Sequence, residues 1–118
     1  MINSVVLMGR ITQDIELRST TSGTSVIQFT IAVERYGKGE EKQTDFITCV
    51  AWKGTAEFIS KYFGKGRMIA VTGRLQSRSY EDKNGNKRTA IEVNVEQASF
   101  TGEPKKEQTE QDEEIFPF

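Results

Sequence analysis

Hydrophobic and polar residues alternate with a period of two along much of the first hundred positions, which is typical of β-strands. In one segment, Ile27, Phe29 and Ile31 fall on one parity while Gln28 and Thr30 fall on the other, so one side of that strand should be buried. Alternation or a short apolar run predicts five strands, at residues 4–10, 26–34, 44–52, 67–76 and 89–100. The first should end in a bend at Gly9.

The segments between these strands carry the signals of loops, one helix and one tight turn. Residues 37–42 are polar and glycine-rich, which predicts a mobile loop. Thr55 is a suitable N-cap for a helix over residues 56–63, which Gly64 and Gly66 should end. Asn84-Gly85-Asn86 is a hairpin turn signal, so residues 77–88, hereafter the arm, should project as a β-hairpin.

The order of these elements predicts the fold. Five strands with one short helix between the third and the fourth is the layout of the OB-fold, an all-β, partly open Greek-key barrel. Small β-domains of other topology produce similar strings, so the pattern alone leaves them open.

Charge divides the chain into two parts. Residues 1–102 carry 14 basic and 11 acidic side chains, whereas residues 103–118 carry 2 lysines and 6 acids. The second part is also too poor in apolar residues to fold. We therefore predict a barrel domain at 1–102 that binds a polyanion, and a disordered acidic tail at 103–118. A tail that serves only solubility is the alternative.

Several classes of function lack the residues they require. The chain has a single cysteine, Cys49, and no histidine, so neither an internal disulfide nor a zinc site is expected. It also has no nucleophile elbow, metalloprotease or P-loop motif. We expect a protein that is not an enzyme and needs no metal or cofactor. Without a long apolar run or a signal peptide, it should be cytoplasmic.

The third predicted strand carries large aromatic residues on a face that the core does not need. Cys49 and Ala51 suit a narrow barrel interior, and alternation sends Phe46 and Trp52 to the opposite face. These rings must be covered by a partner or left free for a ligand. Burial in a subunit interface, or under the helix, is the alternative.

Cations accompany the aromatic residues along the sequence. Arg35 precedes Tyr36, Lys53 follows Trp52, and the arm carries Tyr80 together with Arg78, Lys83, Lys87 and Arg88. A single nucleic-acid strand exposes both its bases and its phosphates, so its binder needs flat rings and cations. The pattern predicts single-strand binding and leaves open the choice between DNA and RNA. A protein-interaction module remains a rival.

The end of the chain departs from the polar tail that precedes it. Apolar residues return in the last seven positions, which are Asp112, Glu113, Glu114, Ile115, Phe116, Pro117 and Phe118. Exposed apolar residues next to a terminal carboxylate predict a docking peptide for protein partners. The alternatives are a terminus that packs on its own barrel and an acidic tail that competes with nucleic acid for the groove.

Five segments of the chain together carry a resemblance to a known family: residues 4–18, residues 29–33, Asp45-Phe46-Ile47, Gly73-Arg74-Leu75 and the Pro117-Phe118 end. They resemble the bacterial-type single-stranded DNA-binding proteins, in a short-tailed form. The resemblance covers nearly the whole chain. It implies an OB-fold homotetramer, with single-stranded DNA wound around it, that is cytoplasmic and nucleoid-associated. It also implies that the acidic tip recruits replication, recombination and repair proteins.

The resemblance implies roles for individual residues. The stacking residues would be Phe46, Trp52, Tyr80 and Tyr36. The phosphate contacts would be Arg10, Arg35, Lys53, Arg74 and Arg78, with Lys83, Lys87 and Arg88 of the arm. The last seven residues would bind partner proteins. Two departures are Ile-Phe before the final Pro-Phe, with glutamates where the family often has aspartates, and a very short linker.

Overall fold

In the computed structural model, the described residues are 1–36 and 42–102. They form six strands and one helix, in the order β1 (Val5–Ile11), β2 (Arg18–Ser19), β3 (Ser25–Tyr36), β4 (Lys42–Trp52), α1 (Lys53–Tyr62), β5 (Met68–Glu81) and β6 (Lys87–Ser99). None of the helices in these residues is both long enough and apolar enough to cross a membrane.

Five of the strands close into a barrel. The sheet runs in the order β1, β5, β6, β4, β3, and pairing of β1 with β3 at Arg10 and Ile11 closes it. The β4–β6 contact is parallel and the other strand pairs are antiparallel. The strand β2 extends the sheet beyond β3. The predicted OB-fold, with its helix between the third and fourth barrel strands, is thereby confirmed.

The barrel interior is filled by one parity of each long strand. Ile27, Phe29 and Ile31 of β3 are fully buried, as are Cys49 and Ala51 of β4. The remaining fully buried side chains come from β1, β5, β6 and α1, and are Ile11, Ile69, Val71, Val93, Ala56 and Ile59. Because the narrow interior accepts only this parity, the other parity of β4 must lie on the outside.

The structure differs from the predicted elements at the first strand and at the helix. β1 continues through Gly9, which pairs with Ile69 of β5, and does not end in a bend there. The glycine allows a close approach to β3, since a Cβ at this residue would lie 2.6 Å from the carbonyl oxygen of Ala32. The helix begins at Lys53, and its N-cap is Trp52, which makes no side-chain capping hydrogen bond. The prediction of Thr55 as N-cap was therefore wrong.

The arm is present, and it is longer than the predicted strand ends implied. β5 runs to Glu81 and β6 starts at Lys87, so both barrel strands continue into the arm. At its tip, Oδ1 of Asp82 accepts hydrogen bonds from the backbone N–H groups of Asn84 and Asn86, both at 2.9 Å. Most of the loop predicted at 37–42 and the whole tail predicted at 103–118 lie outside the described residues.

Candidate nucleic-acid interface

Trp52 lies at the end of β4 on the outer face of the barrel, with 40% of its surface exposed. Strand pairing sets Val26 of β3 directly opposite Trp52, and Arg18 of β2 opposite Val26. These three side chains share one face of the sheet, because directly paired residues point the same way. A cation thus lies two strands away from the indole, across a small apolar residue.

Phe46 lies on the same face of β4, 67% exposed, and six residues before Trp52. That spacing separates the two residues by about 20 Å along the strand. The neighbour of Phe46 on β3 is Ala32, and the neighbour of Ala32 on β1 is Arg10. The arrangement around Trp52 therefore recurs, with an aromatic ring, a small residue and an arginine on three adjacent strands.

A groove of about 550 Å³ opens on this outer face beside Trp52. Its polar and aromatic lining includes Gln28 of β3, Trp52 of β4, Arg78 of β5 and Glu92 of β6. The segment that leads into β2 contributes Asp14, Glu16 and Arg18 to the lining. The groove thus combines a flat indole surface with several charged groups, between β2 on one side and the base of the arm on the other.

An arginine–glutamate pair lies inside this groove. Nε of Arg78 donates to Oε1 of Glu92 at 3.2 Å, and Nη2 of Arg78 donates to Oε2 at 3.0 Å. Glu92 is 3% exposed and is the only charged residue that is buried in the described part of the chain. Its hydrogen bond and its negative charge raise the pKa of the Arg78 guanidinium. The Arg78 Cζ lies 5.5 Å from the centre of the Tyr80 ring.

Two other arginines predicted as phosphate contacts are also held by carboxylates. Nε of Arg35 lies 2.8 Å from Oδ2 of Asp45 across the β3–β4 pair, and Nε of Arg88 lies 2.9 Å from Oδ2 of Asp82 in the arm. Such partly exposed pairs are weak enough to exchange partners when a phosphate arrives. Nη1 of Arg10 donates to the carbonyl oxygen of Gly66 at 3.1 Å.

The remaining residues predicted for stacking and for phosphate contacts are exposed to solvent. Tyr36 at the end of β3 is 76% exposed; its hydroxyl donates to Glu34, and Nζ of Lys42 lies 5.6 Å from its ring centre. Of the predicted phosphate contacts, Lys53, Arg74, Lys83 and Lys87 form no ion pair within the described residues. The seven residues predicted to bind partner proteins, 112–118, lie outside the described part.

Sequence reasoning missed several residues of this face, among them Val26, Gln28, Arg18 and Glu92. Val26 and Gln28 were on the outward parity of a predicted strand, which was a usable signal for them. Arg18 was missed because β2 has only two residues and shows no periodicity. Glu92 has the parity of an outward residue, and its burial depends on Arg78, which comes from another strand.

The chain is similar to known proteins over most of its length. The family model described as "Single-strand binding protein family" matches residues 2–101. The chain is 48% identical over 98 residues to single-stranded DNA-binding protein 1 of Streptococcus pyogenes serotype M18, which covers 81% of this chain and 75% of that protein. It is 44% identical over 107 residues to single-stranded DNA-binding protein A of Bacillus subtilis, covering 89% of this chain and 62% of the relative. With single-stranded DNA-binding protein 2 of Listeria monocytogenes the identity is 43% over 112 residues, covering 93% and 69%.

Proposed function

We propose a function for this protein on the premise that the chain belongs to the single-strand binding protein family. We infer that it binds single-stranded DNA with little sequence preference and protects it during replication, recombination and repair. The observation that carries this proposal is the outer face of β4, where Phe46 and Trp52 are both exposed and each is accompanied by an arginine two strands away. The family is one of binding proteins, in agreement with the expectation that the chain is not an enzyme.

The proposed mechanism divides the work between rings and cations. Bases stack on Phe46, Trp52 and Tyr80, and each stacked base contributes about 1–3 kcal/mol irrespective of its identity. Tyr36 supplies a further ring at the end of β3. Phosphates lie along the exposed cations, for which Lys53, Arg74, Lys83 and Lys87 are the best candidates because no carboxylate of residues 1–36 or 42–102 pairs with them.

A fluorescence titration tests this proposal directly. Trp52 is the only tryptophan, so stacking of a base on it should quench the emission as oligo-dT is added. Trp52→Ala should weaken binding roughly tenfold or more, the equivalent of one lost stack. Tyr62→Ala removes an exposed ring from α1, which does not line the groove, and should leave the affinity unchanged. If the Trp52 emission is not quenched at any concentration of oligo-dT, the stacking mechanism is refuted.

A single-stranded RNA-binding protein of the same fold is the second candidate. Stacking does not distinguish the two sugars, whereas RNA recognition generally reads the 2′-hydroxyl. The names of the relatives favour DNA. Competition of oligo-dT against oligo-U of equal length for the same protein decides between them, because only an RNA binder should prefer oligo-U.

We also propose that the protein assembles into a homotetramer. Support comes from β1, where Val6 is 74% exposed and Met8 55% exposed on one face of the strand. Two exposed apolar residues on one strand are a suitable contact for a second copy. Analytical ultracentrifugation of the free protein should give four times the monomer mass, and Val6→Glu should lower that mass.

The acidic tail has a separate proposed role. We infer that the barrel occupies residues 1–102 and that residues 103–118 form a tail whose last seven residues recruit replication, recombination and repair proteins in a nucleoid-associated cytoplasmic assembly. Deletion of residues 115–118 should leave the affinity for oligo-dT intact and abolish the capture of such proteins. A loss of oligo-dT binding instead would show that the tip belongs to the DNA-binding unit.

A further inference from the structure

The two strands of the arm have only each other as partners. β5 pairs with β1 no further than Gly73, and β6 pairs with β4 at Val93 and Asn94. Beyond these points, residues 77–81 and 87–91 form a two-stranded ribbon. Such a ribbon is marginally stable on its own. Tyr80 lies two residues beyond the groove-lining Arg78, on the same face of β5. Its position therefore depends on side chains that connect the arm to the barrel.

The pair of Arg78 and Glu92 makes this connection on the groove side. Arg78 is directly opposite Ala90 on β6, and Glu92 is the diagonal neighbour two residues closer to the barrel. The small side chain of Ala90 leaves space for Arg78 to cross to Glu92 and form both hydrogen bonds. The guanidinium is thus held through Nε and Nη2, while Cζ of Arg78 lies 5.5 Å from the centre of the Tyr80 ring.

The charge of Arg78 is already matched by that of Glu92. The carboxylate is 3% exposed, and removing its partner would leave an uncompensated buried charge. A phosphate that took the Nε and Nη2 donors of Arg78 from Glu92 would leave the carboxylate in that state. At the same time, a carboxylate inside the groove repels phosphates and not bases. These two effects together keep the sugar-phosphate backbone away from this part of the groove.

We propose that Arg78 and Glu92 are a positioning pair, in which Glu92 holds the guanidinium of Arg78 against the Tyr80 ring and so fixes that ring for stacking without making a phosphate contact. The inference rests on the proposed function, since it specifies how one stacking residue of that site is oriented. It assigns a role to Glu92, and it replaces the phosphate contact that the sequence predicted for Arg78.

The substitution Glu92→Gln gives opposite results under the two roles of Arg78. If Arg78 binds phosphate, loss of a negative charge from the groove and release of the guanidinium should strengthen oligo-dT binding. If the pair positions Tyr80, the variant should bind about fivefold more weakly, a part of what one stacked base contributes. Affinity is measured by quenching of Trp52 with the full chain. Tighter binding by Glu92→Gln would overturn the inference.

The salt dependence separates the two roles a second time. Each phosphate contact to a single strand contributes about 0.7 to the slope of log affinity against log salt. Arg78→Gln should therefore weaken binding without changing the slope. The matched control is Arg74→Gln, which should lower the slope by about that amount. Arg74 is on the same strand and face, and it forms no ion pair with any residue that the structure describes. A lowered slope in Arg78→Gln would also overturn the inference.

Two further measurements exclude a general effect on folding. In a Tyr80→Ala background, Glu92→Gln should have no additional effect on affinity, whereas a fivefold loss there would show that the pair acts elsewhere. Arg78→Lys keeps the charge and loses the two-point hydrogen bond, so it should weaken binding like Glu92→Gln even if the latter folds poorly. Wild-type affinity of Arg78→Lys would contradict the inference. If wild-type protein itself fails to bind oligo-dT, the proposed function fails first.

Discussion

Gly73 of β5 lies so close to the carbonyl oxygen of Asn94 on β6 that a Cβ atom at residue 73 would collide with it. The register of the two strands shifts at the same place, between Thr72 and Gly73. Gly73 is also the last residue of β5 that pairs with β1. The close approach therefore coincides with the point where the barrel wall ends and the strands continue towards the arm.

The first prediction concerns this contact. Gly73→Ala should lower the free energy of unfolding by about 1–3 kcal/mol, because the backbone of β6 must move to admit the methyl group. Gly64→Ala is the matched control, since no atom lies within 4 Å of its added Cβ, and it should be close to neutral. Urea denaturation followed by circular dichroism measures both. Equal stability of Gly73→Ala and wild type would show that the two strands do not approach this closely.

Much of the barrel could be predicted from the sequence because parity is a local property. The alternation of Ile27, Phe29 and Ile31 identifies the core side of β3 without knowledge of its partners. The start of the helix could not be predicted in this way. Thr55 has the chemistry of an N-cap, yet the chain already turns at Lys53, which has a left-handed φ of 56°. That turn follows from how Trp52 leaves β4, which is a tertiary constraint.

The candidate site was predictable to the same extent. Phe46 and Trp52 were identified because the barrel interior has no room for both faces of β4. The ion pairs of Arg35, Arg78 and Arg88 were not, because each joins residues whose proximity depends on strand register or on turn geometry. Nothing local in the sequence indicates that these three arginines are paired with carboxylates.

The second prediction follows from the backbone of Lys53. A left-handed conformation costs a residue with a side chain roughly 1–2 kcal/mol, while glycine adopts it freely but loses more entropy on folding. Lys53→Gly should therefore raise the free energy of unfolding by up to about 1 kcal/mol. Lys61→Gly, inside the same helix, should lower it. Thermal melting of the two variants provides the measurement, and a destabilised Lys53→Gly would contradict the assigned conformation.

The third prediction concerns the reactivity of the single cysteine. Cys49 is fully buried in β4, and desolvation raises the pKa of its thiol to about 12. Because the thiolate is the reactive form, a thiol reagent at pH 8 should modify Cys49 only as fast as the folded protein unfolds enough to expose it. Ser22→Cys, in an exposed turn, supplies a rapidly reacting thiol as the control. Rapid modification of Cys49 in the absence of denaturant would show that β4 is accessible.

The last prediction is the pH dependence of the arm's tip. The pKa of Asp82 is lowered from 3.8, first by its hydrogen bond from Arg88 and then by the backbone N–H group of Asn86. Because the folded pKa lies below that of the unfolded chain, the stabilisation is fully present above about pH 4 and is lost as the pH falls below it. Amide resonances of Asn84 and Asn86 should therefore be constant from neutral pH to about 4 and shift only in more acidic solution. Asp82→Asn carries no titrating group, so the acid-dependent shift of these resonances should disappear. A carboxyl of Asp82 that titrates at or above 3.8 would mean that the bonds from Arg88 and Asn86 do not persist in solution.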